Sequence, residues 1–315
     1  MKRPPSLTES QKNRFGVLRQ QLFDACIQGD TDSSKTIMFD LKNLLLPTGH
    51  HTKYYEVLLY HCELLIFKKD YRSADKFLTA IIRNTDSNTR LFQESSILLS
   101  IAKLHLSELN AAEEHLRAAL LSKAITNIDR RRQFIKRISE RFEEESLLAS
   151  LGSKAFNFNA DDIINEVQQN CMANTSDEQL FENIGKSIPA HSIEFMQRIH
   201  TMAKNQLTHN ERYMLPPAPG AQDFICLGKR IFSGISRRIW AKICLDDSTV
   251  KKILDAAHNP YTISTIILTE IVNLEIGHMI TLISASIITY IIRKRIDVYC
   301  KNLKPDSIMS QRYTR

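Results

Sequence analysis

Apolar residues recur along this chain at helical spacing, most densely between Tyr54 and Leu121. Tyr55, Leu58, Leu59, Cys62, Leu65 and Ile66 fall on one stripe, and Ala74, Phe77, Leu78, Ile81 and Ile82 on another. Both stripes follow the i, i+3, i+4, i+7 rule of a helix that faces a core. Between them lie only Lys68, Lys69 and Asp70, a polar link so short that the chain must return antiparallel. The pattern predicts one helical hairpin over residues 54–67 and 71–82, and a second over 93–106 and 110–121.

The second helix of each hairpin carries the same marks. Tyr71-x-x-Ala74-x-x-x-Leu78-x-x-Ile81 is followed by Leu109-x-x-Ala112-x-x-x-Leu116-x-x-Ala119. This is the second-helix pattern of a tetratricopeptide repeat, in which a small residue lets two helices approach closely. Ala74 and Ala112 are 38 residues apart, slightly beyond the repeat's period of about 34. The surplus fits the polar connection 84–88, since loops accept insertions. One such hairpin cannot bury its apolar face alone, so hairpins of this type stack. The expected fold is all-α: tetratricopeptide-like hairpins stacked as a right-handed solenoid, with a divergent helical C-terminal region. The expected packing residues are Leu58, Cys62, Tyr71, Ala74, Leu78, Ala112, Leu116 and Ala119. The alternative is a non-repeat bundle in which the alanines coincide by chance.

Residues 1–12 are polar and proline-bearing and read as a flexible tail. Helical periodicity then runs through Phe15, Val17, Leu18, Leu22, Phe23 and Cys26, pauses at Gly29-Asp30-Thr31-Asp32-Ser33, and resumes at Ile37, Met38, Leu41, Leu44 and Leu45 until Pro47. Asp32 or Ser33 is the expected cap. This makes a degenerate first hairpin, and with it a repeat domain over 13–125. A charged helical region follows over 126–215, opening with a long helix at 128–151. Phe134, Ile138, Phe142 and Leu148 give that helix only a sparse apolar stripe. Arg130, Arg131 and Arg132 at its start offer a grip on an acidic partner segment. The blander reading of the triplet is a solvated face with intrahelical ion pairs, and Glu143-Glu144-Glu145 follow later in the helix. Shorter helices are expected at 161–171, 178–184 and 192–206. The Pro-rich run 216–222 is the strongest break and the expected boundary. Beyond it lies an apolar helical region, 223–315, with helices at 225–245 and 249–257; Trp240 reads as core or interface packing.

Residues 262–292 are the most apolar stretch, and 276–292 are 17 residues without Asp, Glu, Lys or Arg. That is the lower limit for a bilayer span, and Arg293-Lys294-Arg295 follow as a positive-inside flank would. The expected arrangement is a pair of buried helices broken near Gly277; the alternative is a membrane anchor.

Composition narrows the chemistry. The chain has 315 residues, 43% hydrophobic, with a formal charge of +7. This mild basicity favours an acidic partner surface, but Lys and Arg are dispersed and no nucleic-acid motif accompanies them. Cys26, Cys62, Cys171, Cys226, Cys244 and Cys300 are widely separated, with no Cys-x-x-Cys. The N-terminus lacks the apolar core of a secretory signal, so a reducing compartment, cytosol or nucleus, is expected. Gly185-Lys186-Ser187 resembles the end of a phosphate-binding loop, but Leu180 stands where its first glycine belongs. His50-His51 lacks further ligands at metal spacing, and His105 and His115 make at most a pair across a hairpin. No catalytic, cofactor-binding or metal residues are assigned, and an enzyme is not expected.

Over residues 23–82 the order is a degenerate helix pair, a polar turn, Leu58-Leu59-Tyr60-His61-Cys62-Glu63-Leu64-Leu65, then Lys69-Asp70-Tyr71-Arg72-Ser73-Ala74. This run resembles the amino-terminal end of the subunit-seven family of the anaphase-promoting complex, which consists of tetratricopeptide-repeat proteins. The likeness continues more loosely to Leu121. It implies a non-catalytic scaffold subunit of a cell-cycle ubiquitin ligase, found in nucleus and cytoplasm. Members of that family pair as homodimers through their first repeats and stack beside other repeat subunits. Their later repeats form a groove that engages activator proteins. Members are much longer than this chain, and past about residue 125 the chain matches none of their pattern. A tail-anchored tetratricopeptide adaptor, held by 276–292, is the alternative function.

Overall fold

The computed structural model describes residues 4–151, 159–205, 207–244, 248–257, 259–272 and 281–303. Among the described residues the regular structure is sixteen α-helices, with no strand. They divide into two compact units that meet in sequence between Gln133 and Phe134.

The first unit holds α1 (Glu9–Gln28), α2 (Thr31–Leu45), α3 (His51–Phe67), α4 (Tyr71–Arg83), α5 (Arg90–His105) and α6 (Leu109–Leu121), and the start of α7 (Ile128–Leu151). Sequential helices pack on each other, and α1 on α3 and α3 on α5 as well, the neighbour pattern of stacked hairpins. The expected tail is short: α1 begins at Glu9 behind a Thr8–Gln11 capping box, and Leu7 is buried.

The three hairpins turn in the same way. Gly29, Lys69 and Ser107 each take a left-handed backbone, with φ of 70°, 62° and 63°. The next N–H reaches back five residues in each case: Asp30 to the Ala25 carbonyl (2.9 Å), Asp70 to Leu65 (2.8 Å) and Glu108 to Lys103 (2.9 Å). This satisfies carbonyls that a helix end leaves open. The acidic residue then opens the next helix. Asp30 accepts from the Asp32 and Ser33 N–H groups, and Asp70 from that of Ser73. The cap of α2 is therefore Asp30, not Asp32 or Ser33, because the reversal is complete one residue after Gly29.

Five residues beyond each left-handed position lie Ser34, Ala74 and Ala112, all buried. Met38, Leu78 and Leu116 follow, then Leu41, Ile81 and Ala119, again all buried. The first hairpin thus keeps the register of the other two, with serine where they have alanine.

The second unit comprises α7 from Phe134 onward, α8 (Ala160–Met172), α9 (Asp177–Lys186), α10 (Ala190–Asn205), α11 (His209–Arg212), α12 (Phe224–Cys244), α13 (Thr249–Ala256), α14 (Pro260–Val272), α15 (Thr281–Lys294) and α16 (Ile296–Asn302). Its core includes Leu147, Ile163, Phe181, Ile231, Ile287 and Tyr299. α9 and α12 cross backbone against backbone. A Cβ added at Gly185 would lie 1.9 Å from the Phe224 carbonyl oxygen, and one at Gly228 would lie 1.9 Å from that of Phe181. Only glycine fits such an approach.

The Pro-rich run is not a domain boundary. It lies within the second unit, between the helices that pack most closely, and Gln197 Nε2 donates to the Pro219 carbonyl at 3.4 Å. Proline stops a helix without separating the cores on its two sides. The boundary falls instead within α7, where unbroken periodicity conceals it.

The apolar C-terminal stretch contributes α14 and α15. α15 packs on α8 and α9 and buries Ile283, Ala285, Ile287, Ile288 and Ile291. Its 14 described residues span about 21 Å. Among the described residues no helix is long and apolar enough to cross a membrane. Residues 273–280, including the expected break near Gly277, lie outside the described residues.

Candidate functional site

Seven of the eight expected packing residues, Leu58, Cys62, Ala74, Leu78, Ala112, Leu116 and Ala119, are buried, and Tyr71 is partly so. Tyr71, at the start of α4, stacks flat on His105 at the end of α5, ring centroids 4.5 Å apart and 2° from parallel. Nearby, Lys103 Nζ reaches Asp75 (2.9 Å) and Glu108 (2.8 Å), joining α4, α5 and the start of α6. Burial pulls the Lys103 ammonium down, but the hydrogen bonds it donates to Glu108 and Asp75 outweigh that, so its pKa lies above the ordinary lysine value. Two side chains of α5 bond to backbone carbonyls of α6: Ser100 to Ala112, and Gln93 to Ala119 at 3.1 Å.

A polar cluster links α1, α2 and α3. Ser34 Oγ lies 2.8 Å from His61 Nδ1, and Cys26 Sγ lies 3.9 Å from Ser34 Oγ. The set has the composition of a nucleophile relay, but its electrostatics oppose that use. Burial pushes the Cys26 thiol up to about 12 and pulls the His61 imidazole down to about 4. Both are neutral near neutral pH, so the cluster holds hydrogen bonds rather than a thiolate–imidazolium pair.

In the second unit the acidic run of α7 is buried. Glu143, Glu144 and Glu145 are at most 4% exposed. Glu143 accepts from Arg230 Nε at 2.8 Å and meets His200 Nδ1 at 2.9 Å. Glu144 pairs with Arg237 at 2.7 Å and Glu145 with Arg238 at 3.0 Å. Burial lowers the pKa of Arg230, but the charges of Glu143, Glu140 and Glu144 prevail and raise it. The acidic run thus forms an inter-helix ladder from α7 to α12, with Arg141–Glu145 an intrahelical pair beside it. Paired charges can be buried in this way where lone ones cannot. The partner arginines, 230, 237 and 238, recur on α12 at helical spacing, which was the available signal.

The arginine triplet at the start of α7 separates by task. Arg131 donates to the Leu120 and Ser122 carbonyls at 2.9 and 2.8 Å, covering the C-terminal end of α6. Arg130 lines a cavity of about 390 Å³ with Arg90, Thr126, Asn127 and Gln133. Arg132 is exposed and does not line it. Arg90 is the first residue of α5 and is held at Nε by Glu94 Oε1, 3.1 Å away. Asn127 Oδ1 accepts from the Arg130 N–H at 2.9 Å and so caps α7. Two helix N-termini, the positive ends of their dipoles, therefore open beside this cavity. Arg90 is the member that the sequence reading missed; it lies 40 residues from Arg130, in another helix.

The fold also joins Cys244 and Cys300, 56 residues apart, in a disulfide, which runs against the reducing compartment expected from the sequence. It ties the end of α12 to α16, and Trp240 Nε1 donates to the Cys300 carbonyl beside it at 3.1 Å. Among the described residues no three His, Cys, Asp or Glu side chains group as metal ligands. Comparison with family models, curated proteins and solved structures gives no match to this chain.

Proposed function

We propose that the chain is a non-catalytic scaffold subunit resembling subunit seven of the anaphase-promoting complex, a nuclear and cytoplasmic component of a cell-cycle ubiquitin ligase. The observation that carries this reading is the shared register of the three hairpins, with the same turn at Gly29, Lys69 and Ser107 and a small buried residue, serine or alanine, five positions on. That regularity supports the stacked, tetratricopeptide-like array implied by the run over residues 23–82. Repeat arrays present extended surfaces to other proteins rather than enclosing a reactive centre.

In this reading the first hairpins pair with a second copy of the chain and stand beside other repeat subunits. Val17 and Phe23 on α1 and Phe39 on α2 are exposed apolar side chains suited to such pairing. Activator engagement belongs to later repeats of the family and is not part of the proposal. Light scattering on the full chain tests the pairing: twice the chain mass is expected, reverting to one mass in a Val17→Glu, Phe39→Glu double variant. A parent that is strictly monomeric contradicts the dimer.

A further inference from the structure

We infer that the cavity between Arg90 and Arg130 is a binding site for a phosphoryl group carried on a partner polypeptide, a phosphoserine or phosphothreonine side chain. Its volume of about 390 Å³ is within the size range of small-ligand sites, roughly 300–1,000 Å³. Its lining combines Arg90 and Arg130 with the polar Thr126, Asn127 and Gln133 and the apolar Ala124 and Ile125, and no acidic residue is among them.

The two arginines are held differently, and the difference favours capture of an anion. Glu94 fixes Arg90 through Nε, which orients the rest of its guanidinium fork. Among the described residues the Arg130 guanidinium has no ion-pair partner, and the side chain is exposed. A fixed fork and a free one can close on the same group from two sides. Arg131 removes the competing negative end, since it occupies the terminal carbonyls of α6. The N-termini of α5 and α7 add positive potential to what the guanidiniums supply. A phosphate monoester carries nearly two charges and three acceptor oxygens, enough for two guanidinium forks and a hydroxyl; one carboxylate is satisfied by a single fork.

This recognition is local to the corner of α5, α6 and α7 and is independent of the ligase role proposed above. Titration calorimetry of the full chain with N-acetyl-phosphoserine amide tests it. Saturable binding is expected, weakened about tenfold by Arg130→Ala and by Arg90→Ala, each the loss of one charge-assisted contact. Arg132→Ala leaves affinity within about twofold, because that residue is off the cavity wall. Thermal melts of both variants separate loss of binding from loss of fold. Absence of saturation, or an equal loss with Arg132→Ala, overturns the site. Equal affinity for N-acetyl-aspartate amide overturns the choice of phosphate. Tighter binding of inorganic phosphate than of the phosphoserine amide overturns the polypeptide source.

Discussion

Ser34 Oγ and His61 Nδ1 lie 2.8 Å apart, a buried hydrogen bond from the second helix of one hairpin to the first helix of the next. Ser34 occupies the position that alanine fills in the following two hairpins, so one register accommodates either close packing or a polar link. Burial holds the His61 imidazole neutral down to about 4, with Lys35 adding to the shift and Asp70 opposing it. The unfolded chain takes up a proton near the ordinary histidine value of about 6.5, and the folded one resists until about 4. Between those values the unfolded state binds the extra proton. Stability from this group is therefore complete above pH 6.5 and falls as pH drops toward 4, by an amount on the order of 3 kcal/mol. Urea unfolding of the parent and of His61→Gln at pH 7 and pH 4.5 checks this: the parent loses more. Equal losses exclude His61 as the responsive group.

Ala74 and Ala112 mark where hairpin helices meet without room for a longer side chain. Ala74→Arg and Ala112→Arg should each cost at least ~1–3 kcal/mol by overpacking. Lys76→Ala, two residues from Ala74 and on the exposed side of α4, should change stability by less than about 0.5 kcal/mol. Chemical denaturation gives all three values. A variant at Ala74 that unfolds like the parent shows the register to be wrong.

The α9–α12 crossing makes a graded series of glycine substitutions. Gly185→Ala and Gly228→Ala press a methyl into a facing carbonyl and should cost about 3 kcal/mol or more. Gly234→Ala meets the flexible Leu148 Cδ1 at 2.9 Å and should cost less. Gly220→Ala has nothing within 4 Å and should be nearly neutral. Thermal melts that rank the variants in any other order contradict this crossing.

The buried ladder predicts a contrast between two glutamates. Glu143→Ala leaves Arg230 and His200 without their buried partner and should cost ~3–5 kcal/mol. Glu182→Ala removes an α9 surface pair with Lys186, worth about 0–1 kcal/mol. Comparable small effects would return the acidic run to the solvent.

The Cys244–Cys300 bond predicts a redox-dependent melt. Oxidised parent should exceed reduced parent by about 2–4 kcal/mol, as is usual for closing a loop of this kind. Cys244→Ser should melt alike in both conditions. A difference that persists in the variant assigns the effect to another thiol.

Helices were the most legible feature in the sequence, because a 3.6-residue stripe marks each one wherever it packs. The ends of α3, α4, α6 and α7 fall within a few residues of their expected positions for that reason. What eluded the sequence was pairing across distance. Nothing local in Glu143-Glu144-Glu145 reports that arginines some ninety residues on will bury them. The first hairpin looked degenerate because Ser34 is not alanine, although the turn at Gly29 fixes the same register. Of the candidate cavity, Arg130 was legible as part of a basic triplet. Arg90 was not, since only the fold brings the start of α5 beside that of α7.

The central claim, a scaffold subunit of a cell-cycle ubiquitin ligase, is tested most directly by affinity purification of the tagged full chain from dividing cells, with quantitative mass spectrometry of what co-elutes. The account predicts the other subunits of the ligase in fixed ratio to the chain, and their loss with Ala74→Arg. Purification of the intact, folded chain without any ligase subunit would contradict it.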